Sequence, residues 1–81
     1  MPAWKGGHMQ QTFIAIIRDE DGTQLDFQRF GCKRLATAVK NMQQLAQNSL
    51  YRACTPGMDH ADIYATDYDW HGLAPAATIT L

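Results

Sequence analysis

The sequence predicts an α+β domain in which a four-stranded antiparallel sheet carries one long amphipathic helix on one face. Two segments with the alternation of β-strands precede a long segment with helical periodicity, and two more strand-like segments follow it. The first strand is apolar in both of its alternating sets, which places it in the middle of the sheet. The order ββαββ with spatial order 2-1-3-4 meets this requirement with a right-handed crossover through the helix.

The first predicted strand spans residues 12–18 and is hydrophobic on both faces. Asp21-Gly22 follows it and favours a tight turn, because both residues tolerate positive φ. The second predicted strand, residues 23–30, alternates regularly, with Leu25 and Phe27 expected on one face. A half-polar strand of this kind is typical of a sheet edge, so these two strands should form a hairpin.

The predicted helix covers residues 33–54, the longest periodic segment of the chain. When residues are placed around a helix axis at intervals of about 100°, the apolar and small side chains fall in one arc. Its members are Leu35, Ala38, Val39, Met42, Leu45, Ala46, Ser49, Leu50 and Ala53. Pro56-Gly57 should end the helix, since proline cannot continue the hydrogen-bond ladder. Alternation then resumes and predicts strands at 60–68 and 76–81.

The composition is that of one small folded domain. The chain has 81 residues, of which 46% are hydrophobic and 19% charged. A domain of this size buries its own apolar area only marginally, so oligomerisation is expected. No segment has the length of a membrane span or the pattern of a signal peptide, and we therefore expect a cytoplasmic protein. Its scale suits a small accessory protein of the kind that mobile elements carry.

We interpret residues 1–8 as a disordered leader or a cloning remnant, and residues 9–81 as a single α+β domain. The first eight residues show no periodicity and precede a second methionine, Met9. The alternative is a native terminus that is frayed.

The open face of the predicted sheet is the leading candidate for function. One helix covers only one face, so the other should expose Ile14 and Ile16 beside Tyr64 and Tyr68. Trp70 in the following loop suits a partner-binding anchor, or it folds back onto the core. We therefore predict a non-enzymatic protein-binding module that pairs with itself as a homodimer or with another protein. Shielding of this face by the chain's own side chains is the alternative.

Nucleic-acid binding is a second hypothesis, carried by the basic helix at residues 33–52. Lys33, Lys40 and Arg52 would supply phosphate contacts from its polar face. The formal net charge of −1 and the lack of interleaved aromatic and basic residues argue against it. A solvated helix face explains the same residues.

A metal or small-ligand site in the segment 59–71 is a third hypothesis. Asp67, Asp69 and His71 would share one face if the third strand extended that far. The segment matches neither the HExxH zinc motif nor a calcium loop, so a solvated acidic loop is favoured. No cofactor motif is present, and neither His60 nor His71 has a nucleophile at an interpretable spacing, so no catalytic residue is predicted.

Overall fold

The computed structural model describes residues 11–81 and confirms the predicted α+β fold. The interpretation of residues 1–8 lies outside the described residues. The elements are β1 (Gln11–Arg18), β2 (Gln24–Cys32), α1 (Leu35–Ala46), α2 (Ser49–Cys54), β3 (His60–Tyr64) and β4 (Ala77–Thr80). The strands form one sheet in the order β2-β1-β3-β4.

The doubly apolar strand β1 lies between β2 and β3, as its composition predicts. Both pairings are antiparallel, with Ile16 opposite Phe27 on β2 and Ile14 opposite Tyr64 on β3. β4 pairs antiparallel with β3. Because side chains alternate along a strand, Phe13, Ala15 and Ile17 of β1 point to one face of the sheet and Ile14 and Ile16 to the other.

The helix layer covers the first of these faces. Ala38, Met42 and Ala46 are the buried residues of α1. They pack in one cluster with residues of the sheet, namely Phe13, Ala15, Ile17, Cys32, Ala61 and Ile63. We call this side of the sheet the helix face and the opposite side the second face.

The single helix expected over residues 33–54 is instead two helices separated at Gln47 and Asn48. The Asn48 side chain accepts a hydrogen bond from the backbone N–H of Tyr51 at 2.9 Å, while its own backbone is extended. Asparagine is among the best residues for starting a helix in this way, and it competes with the interior of a continuous helix. Because a second helix begins after Asn48, the apolar arc of the first helix does not continue along the second.

This interruption changes which side chains of the second helix face the sheet. Leu50, expected in the apolar arc, is 72% exposed, and Ser49 and Ala53 are exposed as well. Tyr51, expected on the polar side, instead packs against the core, and its hydroxyl donates to Asp26 Oδ2 at 2.6 Å. Burial and this hydrogen bond raise the pKa of Tyr51 well above its ordinary value.

Strand β2 contains an irregularity that separates Leu25 from Phe27. The register with β1 shifts between Ile17 and Arg18, so that Leu25 has no partner. An extra residue of this kind is a β-bulge. Leu25 packs with the helix-face cluster, whereas Phe27 packs on the second face. The prediction that both share one face was wrong, because the bulge reverses the alternation after Leu25.

The third strand ends at Tyr64 rather than continuing to residue 68. Residues 65–76 form a loop, which we call the 65–76 loop, and β4 begins at Ala77. Within residues 11–81, no helix has the length and hydrophobicity needed to cross a membrane.

Candidate functional site

The second face of the sheet is buried, although the sequence predicts that it is exposed in a single chain. Ile14 and Ile16 have no exposed surface, and Tyr64 is 6% exposed. Phe27 and Trp70 pack against these three residues. The side chains of Ile14, Ile16 and Tyr64 are therefore core residues in this structure and offer no contact surface to a partner.

The 65–76 loop provides the cover for this face. It leaves the sheet after Tyr64 on β3, yet Trp70 reaches Phe27 on β2, with 5.4 Å between the ring centroids. Since β1 lies between β3 and β2, Trp70 extends across the central strand. Of the two roles expected for Trp70, the structure shows that it folds back onto the core.

The loop is stiffened mainly by contacts within itself. The backbone N–H of Leu73 donates to the carbonyl of Trp70 at 3.0 Å, and the N–H of Tyr68 donates to the Thr66 hydroxyl at 3.3 Å. At the base of the loop, the N–H of Ala76 donates to the carbonyl of Ile63 at 2.7 Å. The contact of Trp70 with the second face is therefore the main attachment of the loop tip to the sheet.

Asp69 and His71 form the best-defined polar pair of the loop. Asp69 Oδ1 accepts from the backbone N–H of His71 at 3.0 Å and lies 2.6 Å from His71 Nδ1. The His71 ring stacks on Trp70 at 4.5 Å between centroids. The backbone and side-chain hydrogen bonds from His71 hold the pKa of Asp69 below its ordinary value. This pair orients the ring that lies on Trp70.

The three residues of the metal hypothesis are not brought together. The strand that would have aligned Asp67, Asp69 and His71 ends at Tyr64, and the His71 ring lies between Asp69 and Trp70. Across residues 11–81, no group of three or more His, Cys, Asp or Glu side chains is arranged to hold a metal ion. The geometry therefore gives the metal hypothesis no support.

Acidification is expected to loosen the loop at low pH. The pKa of Asp69 is lower in the folded protein than in the unfolded chain. Its hydrogen bonds therefore stabilise the loop fully at pH values above the ordinary pKa of 3.8. This contribution is lost as the pH falls through the lowered pKa. We expect the fluorescence of Trp70, measured in a Trp4→Phe background, to change as the pH falls below the ordinary pKa of Asp69.

The matched variants for this experiment are Asp69→Ala and Asp67→Ala. Asp69→Ala removes the oxygen that accepts from His71, so it should show the loosened-loop fluorescence already at neutral pH. Asp67→Ala, at an exposed neighbouring position, should titrate like the parent. Identical titrations of the Asp69→Ala variant and the parent would contradict a role of Asp69 in loop order. Far-ultraviolet circular dichroism separates this change from global acid unfolding.

Two side chains of the loop point away from the sheet. Tyr68 is 84% exposed and Leu73 is 48% exposed, and the third exposed large hydrophobic residue among residues 11–81 is Leu50. Tyr68 was predicted as a partner-binding residue, and its exposure leaves it available for that role. Leu73 was not predicted, because a single leucine in a polar segment gives no periodic signal.

A polar cluster at the other end of the second face was also not predicted. Arg18 Nε lies 3.0 Å from Asp62 Oδ2, and the hydroxyl of Thr78 donates to Asp62 Oδ1 at 2.7 Å. The cluster joins β1, β3 and β4. The partners of Asp62 lie 44 and 16 residues away in the sequence. They can be identified only once the register of the strands is known.

The basic residues of the nucleic-acid hypothesis do not lie along one helix. Lys33 precedes α1, Lys40 lies on α1, and Arg52 lies on α2. The Arg52 guanidinium donates to the carbonyl of Ala46 at 2.7 Å, so this side chain contacts the end of α1. All three residues are exposed, as expected for a solvated helix face.

Comparison with known proteins adds no assignment, since no protein-family model, curated protein or solved structure matches the chain.

Proposed function

We propose that the protein is a small non-enzymatic protein-binding module whose docking surface is the outer side of the 65–76 loop. The observation that carries the proposal is the exposure of Tyr68 and Leu73 on a loop that Trp70 fixes to the sheet. Apolar side chains held on an ordered frame lose little conformational freedom on binding. Tyrosine is also among the residues that dominate binding energy at protein interfaces.

The charge of the loop indicates the chemistry of the partner. Asp67 and Asp69 flank Tyr68, and all three are exposed. Both carboxylates therefore place negative charge beside Tyr68 at neutral pH. A partner with an apolar pocket for Tyr68, bordered by lysine or arginine side chains, would complement the loop in shape and charge.

A cytoplasmic location belongs to the same proposal. Cys32 is a free thiol in the core, and Cys54 is a free thiol at the surface. Surface thiols of this kind are typical of proteins in a reducing compartment.

Affinity capture followed by titration tests the proposal. The wild-type protein, Tyr68→Ala and Leu50→Ala serve as baits in a lysate of the native host, and a protein retained by the wild type is purified and titrated against each. Loss of a central interface tyrosine should weaken binding about 30-fold, corresponding to about 2 kcal/mol.

Leu50→Ala is the matched control, because Leu50 is also an exposed large apolar residue but lies on α2. It should bind the partner with wild-type affinity. Equal affinity of all three baits, or equal weakening by both substitutions, would argue against the 65–76 loop as the docking surface.

A further inference from the structure

Within residues 11–81, the outer edge of β2 is long and has few of the features that usually protect a sheet edge. β2 has nine residues, whereas β4 at the opposite edge has four. Natural edge strands are commonly shortened, bulged, or marked with proline or lysine, which prevents pairing with other chains. β2 contains neither residue, and its bulge lies near its start, so that residues 26–32 pair with β1 without interruption.

Within residues 11–81, the sheet register shows which backbone groups of this edge point away from β1. The carbonyl of Arg18 accepts from the N–H of Asp59 beside β3, so the even-numbered residues of β1 direct their backbone groups toward β3. The odd-numbered residues of β1 then bond to β2, where their partners include Gln28 and Phe30. Alternation leaves the N–H and C=O groups of Phe27, Arg29 and Gly31 pointing outward. Of these groups, the Phe27 N–H also donates to the Asp26 carboxylate of its own strand.

We infer that the edge of β2 pairs antiparallel with the same edge of a second copy, forming a two-fold dimer with a continuous sheet. Placing Gln28 opposite Gln28 of the second copy brings Phe27 opposite Arg29 twice. Phe27 and Arg29, whose backbone groups point outward, then face one another, and each such pair exchanges both of its hydrogen bonds. This isologous contact closes on itself and gives a dimer rather than a fibre.

The side chains favour this register. Phe27 and Arg29 both point to the second face, and within one chain the Arg29 guanidinium carbon lies 5.6 Å from the Phe27 ring centroid. Pairing them across the two-fold axis adds the same cation–π contact between copies. A shift by two residues in one direction would place Arg29 opposite Arg29, where like charges repel. A shift in the other direction would place Arg29 opposite Leu25 and remove the contact.

The dimer is independent of the proposed function, because Tyr68 lies on the 65–76 loop and not on this edge. Sedimentation equilibrium over a concentration series measures the mass of the wild-type protein, Arg29→Pro, Arg29→Ala and Tyr68→Ala. We expect dimers for the wild type and Tyr68→Ala. Arg29→Pro should be a folded monomer, because it removes an N–H that points away from β1. Arg29→Ala should weaken the dimer by only a few-fold, since its backbone is unchanged.

Amide hydrogen exchange of the wild-type protein keeps the inference testable if Arg29→Pro does not fold. The N–H group of Arg29, which pairs with Phe27 of the second copy, should become protected as the concentration rises, in step with the increase in mass. A wild-type protein that is monomeric at about 1 mM, where a 1 mM Kd would give substantial dimer, would overturn the inference. So would protection of the Arg29 amide in the monomer, or a dimer that persists in folded Arg29→Pro.

Discussion

Ile16→Glu is expected to unfold the protein. Ile16 has no exposed surface and lies in the central strand, between Phe27 on β2 and Asp62 on β3. Burying an unpaired carboxylate there costs several kcal/mol, in addition to the lost packing of the isoleucine. Small domains have total stabilities of about 5–15 kcal/mol, so little or none would remain. Circular dichroism should show loss of the sheet signal and of the cooperative thermal transition.

Tyr68→Glu is the control for this experiment. It introduces the same charge on the same side of the sheet, but at a position that is 84% exposed. Its thermal transition should match that of the wild type to within the small effect of a surface substitution. A folded Ile16→Glu variant with a wild-type melting temperature would show that the second face is open to water, as the sequence alone suggests.

Trp70→Ala is expected to destabilise the protein by about 2–4 kcal/mol. Truncating a buried tryptophan costs about 3–5 kcal/mol, and Trp70 is only partly buried. The loss removes the contact with Phe27 and the attachment of the loop tip to the sheet. Urea denaturation measures the free energy of unfolding. Binding of a hydrophobic dye should increase at the same time, because Ile14 and Ile16 lose their cover.

Tyr68→Ala again provides the comparison, since it removes a neighbouring aromatic side chain of the same loop. Its free energy of unfolding should change by about 0.5 kcal/mol or less, because Tyr68 is exposed. If the two alanine variants had equal stability and equal dye binding, Trp70 would not be the residue that holds the loop on the second face.

The candidate site was predicted only in part. Tyr68 was predicted from the alternation of the third predicted strand, and Trp70 from its place in a predicted surface loop. The burial of Ile14 and Ile16 was not predicted, since it depends on how a segment without periodicity crosses the sheet. Loops of this kind carry no alternating pattern from which their path can be read.

The sequence by itself determined the order of the strands around a helical region, the antiparallel sheet and the central position of β1. These features follow from the periodicity of apolar residues, which is a local property, and from the burial of both faces of one strand. Tertiary structure decided the interruption of the helix at Asn48, the bulge at Leu25 and the cover of the second face by Trp70. The physical reason is that each local alternative is worth only about 1 kcal/mol, as for a helix cap. Such small differences are settled by contacts between residues distant in the chain, such as Tyr51 with Asp26, 25 residues apart.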